Sequence, residues 1–279
     1  KALLICDSLN MPSDRKFPIY YGLAQGYMTL RDYEQCDYYS ELAAKNYDEM
    51  LPDEKHFYLN NRGNSYYYRG DYATAIGYFR KVVELVKDYP DMRWGLNLSY
   101  LNLSDCFLQR NEADSAAKYL DLCEPFFKEI GSTTALYYID TQKIELALQR
   151  KDFAEARRLL TVSKASPEID ADMIHIRNKY LQQFHEETGN YQRAYDYLKK
   201  NDRLDDSIRN ERIRMRTADL TLRYQQDSTL MAHKVLFQKQ ENEVLALRQT
   251  RLVTLAIAVI AFLIAAFLYL YNSCLLYTS

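Results

Sequence analysis

Gly63-Asn64-Ser65-Tyr66-Tyr67-Tyr68-Arg69-Gly70-Asp71-Tyr72-Ala73-Thr74-Ala75-Ile76-Gly77-Tyr78-Phe79 decides the reading of this chain. A small residue, Gly63, is followed by an aromatic, Tyr66, then by a Gly-Asp turn. After the turn come Tyr72, a second small residue, Ala75, and the ring of Phe79, again with helical spacing. This is the pattern of two antiparallel helices. Ala75 falls where the second helix crosses the first most closely, a place without room for a long side chain. Phe79, one turn further on, supplies the bulk.

Working outward, the same turn recurs with a small residue three positions later. The copies are Asp32-Tyr33 with Cys36, Glu112-Ala113 with Ala116, Asp152-Phe153 with Ala156, and Asn190-Tyr191 with Ala194. From Tyr33 the intervals are 39, 41, 40 and 38 residues. The second helices go on to Tyr39-Ser40, Tyr78-Phe79, Tyr119-Leu120, Leu159-Leu160 and Tyr197-Leu198, bulk for the next hairpin to pack on. The first helices carry Ala24/Tyr27, Gly63/Tyr66 and Ser104/Phe107, decaying to Ile144/Ala147 and Gln182/His185. A lone hairpin cannot bury its apolar face, so such units stack and leave a groove.

This pattern resembles the tetratricopeptide repeat, with Gly63, Tyr66, Tyr72, Ala75, Phe79, Cys36, Ala116, Ala156 and Ala194 as its packing positions. The resemblance implies an all-α solenoid of about five hairpins over residues 11–200, with residues 1–10 as the end of a preceding hairpin. The spacing exceeds the roughly 34 residues of the standard repeat, so longer helices or loops are expected.

Composition agrees with an ordered helical chain: 8 Gly and 6 Pro among 279 residues, with 48% hydrophobic content. The formal charge of -2 is uneven. Residues 199–251 hold 12 Lys/Arg against 8 Asp/Glu, whereas residues 1–198 hold 24 against 30. An acidic array argues against nucleic acid as its ligand, because phosphate binding needs clustered cations.

Leu252 to Tyr271 reads LVTLAIAVIAFLIAAFLYLY, 20 residues without a charge. At 1.5 Å per residue it is about 30 Å long, enough for a transmembrane helix, with Arg248, Arg251, Tyr269 and Tyr271 as interfacial anchors. Residues 201–251, free of Gly and Pro, read as a long juxtamembrane helix. Within 227–251, Leu230, Phe237 and Val244 recur every seven residues beside Met231, Leu245 and Leu252. They fit a coiled-coil homodimer, packing onto the last hairpin, or a solvated stalk. Residues 272–279 read as a truncated or non-native tail, and any signal peptide would precede Lys1.

No catalytic or metal motif emerges, and no cofactor is expected. His56, His175, His185 and His233 are scattered without the helical spacing of a zinc site, and there is no phosphate loop or nucleophile elbow. Cys36 and Cys123 read as packing thiols. Cys6 and Cys106 have no Cys-x-x-Cys partner, and disulfides between helices remain open. The 26 tyrosines fit repeat packing or an aromatic, hydroxyl-bearing groove for peptides or glycans, whose residues the sequence does not name.

Taken whole, hairpins followed by a charged helix containing Arg209-Asn210-Glu211-Arg212-Ile213-Arg214-Met215 and Arg223-Tyr224-Gln225-Gln226-Asp227, then an apolar segment, are similar to bacterial repeat-containing membrane sensors. That resemblance implies repeats in the periplasm, a single span in the inner membrane, and a histidine kinase or helix-turn-helix output beyond it. The implied function is non-catalytic: a partner or cue is bound in the groove and signalled through the stalk. The alternative is a membrane-tethered scaffold that gathers proteins without signalling.

Overall fold

The computed structural model describes residues 16–45, 47–162 and 169–277, and the side chains of that set except at 161, 162, 256 and 258–277. Among the described residues there are ten α-helices and no strand: α1 (Phe17–Thr29), α2 (Tyr33–Ala44), α3 (Pro52–Tyr68), α4 (Tyr72–Val86), α5 (Arg93–Gln109), α6 (Ala113–Glu129), α7 (Thr133–Gln149), α8 (Phe153–Val162), α9 (Ala171–Glu187) and α10 (Tyr191–Tyr277). In chain order they pair into five hairpins. The first helices α3, α5, α7 and α9 are 17 residues each. That length, with the joins, accounts for the 40-residue spacing.

Every hairpin closes by one device. The N–H of Asp32, Asp71, Glu112, Asp152 or Asn190 donates to the carbonyl five residues back, that of Tyr27, Tyr66, Phe107, Ala147 or His185, at 2.7–3.0 Å. The residue just before it is left-handed: Arg31 (φ 56°), Gly70 (81°), Asn111 (59°), Lys151 (56°) and Gly189 (77°). This is the helix-ending geometry that glycine adopts without strain. The Asp or Asn then caps the second helix, accepting from the N–H of Gln35, Thr74, Glu155 or Arg193. Glu112 makes no such side-chain cap. One residue thus ends a helix with its N–H and starts the next with its carboxylate or amide.

The first helices run side by side, α1 on α3, α3 on α5, α5 on α7 and α7 on α9. The second helices α2, α4 and α6 each pack on their own first helix and on the next. Cys36, Ala75, Ala116 and Ala156 are fully buried and Ala194 nearly so. The closest approach is at Gly63, where a Cβ would lie 2.5 Å from the Phe79 ring.

A stacked ring pair recurs beside these crossings: Tyr27–Tyr39, Tyr66–Tyr78, Phe107–Tyr119 and His185–Tyr197, with centroids 5.5–5.7 Å apart and planes within 13°. Each ring pairs within its own hairpin, while Tyr78 and Tyr119 also join clusters that include residues of the next one. The imidazole of His185 takes the place of the missing aromatic in the fifth copy. In the fourth copy, Ala147 and Leu159 join a mixed apolar cluster with Ile144, Leu148, Tyr180 and Phe184 instead.

The chain divides into two compact units, Lys1–Met215 and Arg216–Ser279. The hairpins belong to the first. In the second, Leu230, Met231, Val235, Phe237, Val244 and Leu245 are all exposed.

The expectation of a transmembrane helix at 252–271, and with it a single-pass inner-membrane protein with periplasmic repeats, is corrected here. Among the described residues no helix is long and apolar enough to cross a membrane. A span needs about 20 consecutive apolar residues. The described side chains of α10 stay charge-rich up to Arg251, and beyond it only 252–255 and 257 are described. The remainder of the apolar stretch, like residues 1–10, 278 and 279, lies outside them.

Candidate functional site

One residue after each small position of the first helices stands a polar side chain: Gln25, Asn64, Asp105, Glu145 and Gln183. Because the first helices lie side by side, these positions form a column. Its middle members open into a cleft. An outer part of about 340 Å³ is lined by Asn64, Tyr68, Trp94, Leu98 and Met173, together with Asp105, Asp170 and Asp172. Trp94 and Tyr68 stand half-exposed at its edge. Among the described residues no Lys or Arg lines this part. An inner part of about 190 Å³ holds Gln109, Gln142, Glu145, Lys179 and Tyr180. Tyr67, Asp105, Tyr138 and Ile176 line both parts.

The inner part is a polar network built from α3, α5, α7 and α9. Asp105, 6% exposed, accepts from the Tyr138 hydroxyl and is also bonded by Tyr67 and Gln109. Glu145, 8% exposed, accepts from Gln109 Nε2 at 3.2 Å and is bonded by the Tyr180 hydroxyl. Gln142 Nε2 donates to the Leu101 carbonyl at 3.3 Å, while its Oε1 is buried without a hydrogen-bond partner.

Burial raises the Asp105 carboxyl above its ordinary range against the pull of its three donors. Burial likewise pushes Glu145 up to about 7; the Tyr180 hydrogen bond and the more distant Lys179 oppose this, and the charge of Asp105 adds to it. The Tyr67 and Tyr138 hydroxyls are held well up by burial and by Asp105. The carboxylates therefore meet hydroxyls and an amide, not a paired cation.

A second cavity of about 580 Å³ lies on the last two hairpins, lined by Arg157, Arg177, His185 and Arg193 among others. There the buried Arg177 stacks 4.6 Å from the Tyr137 ring centroid. Its sign is opposite to that of the cleft.

Of the packing positions singled out from sequence, Phe79 reaches the outer part of the cleft, and of the four histidines His175 lines its inner part. Cys36, Ala75, Ala116, Ala156 and Ala194 are core, and Tyr66 and Tyr72 pack partly buried against it. Cys36, Cys106 and Cys123 are free, buried thiols, with Cys106 and Cys123 pushed far up by burial. His56 and His185 are buried, and His175 Nε2 lies 3.2 Å from Asp205. No group of three metal-ligating side chains occurs among the described residues. Some tyrosines form the ring stacks, and Tyr67, Tyr68, Tyr138 and Tyr180 stand in the cleft. Asp105, Gln142 and Glu145 were missed, although the shared register of Asp105 and Glu145, one residue after Ser104 and Ile144, marks those two.

A tetratricopeptide repeat is present: the family model of that name matches residues 56–89, which take in most of the second hairpin. The crystal structure of BtubC (BKLC) from P. vanneervenii is similar, with a TM-score of 0.55 and 14% identity over 75% of this chain and 87% of that one. At that identity the likeness is one of fold. No curated protein matches. These likenesses reach the repeat and the helical architecture, and neither carries the membrane, kinase or helix-turn-helix context of the whole-chain resemblance.

Proposed function

We propose that the chain is a non-catalytic protein-interaction module that holds a segment of a partner protein in the cleft on its first helices. The carrying observation is the half-exposed Trp94 and Tyr68 at the mouth of a cleft whose floor is lined with hydrogen-bonding groups. Broad aromatic anchors beside convergent polar groups are what a peptide site requires. Assembling a partner needs only these features, and we favour it over a sensor coupled to an output domain. The exposed row Leu230, Phe237 and Val244 in turn supports pairing of two copies along α10. Light scattering tests that pairing: the full chain should have a dimer's mass and Phe237→Lys a monomer's.

The cleft is tested by selecting peptides from a random library on the full chain, then measuring them by fluorescence anisotropy. Selected peptides should bind the parent and lose at least tenfold in affinity for Tyr68→Ala/Trp94→Ala, whose melting is unchanged. Peptides that bind both proteins equally would place recognition elsewhere and sink the reading.

A further inference from the structure

The proposal rests on the peptide-binding reading above and assigns the chemistry of the bound segment. We propose that the inner part of the cleft is a pocket for an arginine side chain of the partner, with Asp105, Glu145 and Gln142 as its acceptors.

Three observations lead there. The pocket floor is rich in acceptors: two carboxylates, each more than nine-tenths buried, and the Gln142 carbonyl oxygen, 2% exposed as a residue and without a hydrogen-bond partner. A native protein rarely leaves such an acceptor bare without a ligand or water to fill its valence. The donors within the network are uncharged hydroxyls and amides, so among the described residues no cation is in contact with the two buried carboxyls. Lys179 lines the inner part and acts on Glu145 only at a distance. The outer part adds Asp170 and Asp172, Asp172 facing Arg212 at 3.8 Å.

The shape of the requirement selects guanidinium over ammonium. Acceptors presented from α5 and α7 call for several donors in one plane, which Arg has and Lys lacks. Tyr67, Tyr138 and Tyr180 line it, and tyrosine rings are a surface on which a guanidinium stacks. An opening of about 190 Å³ admits one such head group and little more. Aromatic Tyr68 and Trp94 in the adjoining part then suit an apolar neighbour on the same peptide. The network also explains itself in this frame: desolvated carboxylates pushed towards their protonated forms regain their charge when a cation enters.

The test uses peptides selected on the full chain as in the preceding experiment, restricted to those that the Tyr68→Ala/Trp94→Ala variant loses. Each is resynthesised with citrulline, the uncharged isostere of arginine, in place of Arg. Arginine should be enriched at one position, and citrulline there should weaken binding at least thirtyfold. Glu145→Gln and Asp105→Asn should abolish the preference for arginine over citrulline while circular dichroism reports an intact fold. If Asp105→Asn unfolds, Glu145→Gln alone carries the comparison. Selected peptides that need Tyr68 and Trp94 but carry no essential arginine overturn this inference and leave the peptide-binding reading standing. Failure to select any such peptide overturns both.

Discussion

Replacing Glu145 by Gln should change the pH dependence of folding in a calculable way. Glu145 is folded with its carboxyl at about 7, raised by burial from an ordinary 4.5. Below pH 4.5 both folded and unfolded chains hold the proton. As pH rises above 4.5, the unfolded chain releases it while the folded chain keeps it, so stability falls until about pH 7 and then levels. A shift of that size corresponds to about 3 kcal/mol at 1.36 kcal/mol per unit. Glutamine cannot ionise, so the variant escapes the loss. Its amide still accepts from Gln109 but brings an N–H₂ that lacks an acceptor, a cost of about 1 kcal/mol at every pH. Asp105 titrates in both proteins, and because its charge and that of Glu145 oppose each other, losing Glu145 eases Asp105 ionisation in the variant, which acts in the same direction. Urea unfolding at pH 5, 6, 7 and 8 should therefore show the variant slightly less stable at pH 5 and more stable at pH 8, the difference moving by about 2–3 kcal/mol across that range. Parallel curves for the two proteins would refute the description of Glu145 as a desolvated, unpaired carboxyl.

Gly63→Ala should drive a methyl into the Phe79 ring and cost about 1–3 kcal/mol in a thermal melt; an unchanged melt would mean the second hairpin crosses elsewhere. Lys151→Gly, relieving a left-handed lysine in the fourth turn, should raise stability by about 0.5–1 kcal/mol in the same assay. For the ring stack of the second hairpin, a double-mutant cycle with Tyr66→Leu and Tyr78→Leu should give a coupling of about 0.5–1.5 kcal/mol, whereas additive losses would deny the stack any energy beyond burial.

The hairpins were legible because their signals are local. Asp71 and Gly70 sit at a turn whose hydrogen bonds span six residues, and Ala75 and Gly63 are read from helical spacing alone. The fifth copy was harder: Gln182/His185 looks like decay until His185 is seen stacked on Tyr197, a substitution of one flat ring for another that hydrophobicity does not register. The cleft was not legible from residue type. Asp105 and Glu145 read as surface carboxylates, and only the side-by-side packing of α5, α7 and α9 puts them in one buried network. Their common register, one position after the small residue, was present in the sequence but gains meaning only once the first helices are known to be neighbours. At the apolar stretch after Arg251, hydropathy alone pointed to a membrane span that no helix among the described residues provides.

The turn that closes each hairpin has a consequence for how such a chain can change length. Because one residue finishes the outgoing helix and, in four of the five turns, caps the incoming one, these bonds at the bend close inside nine consecutive residues, Tyr66 to Thr74 in the second hairpin. A hairpin therefore carries its own ends with it. Duplicating or deleting a whole hairpin leaves every surviving turn chemically complete, while cutting inside a turn strands donors and acceptors on two helices at once. Evolution and protein engineers should find that this array grows and shrinks in steps of about 40 residues, with breakpoints between hairpins.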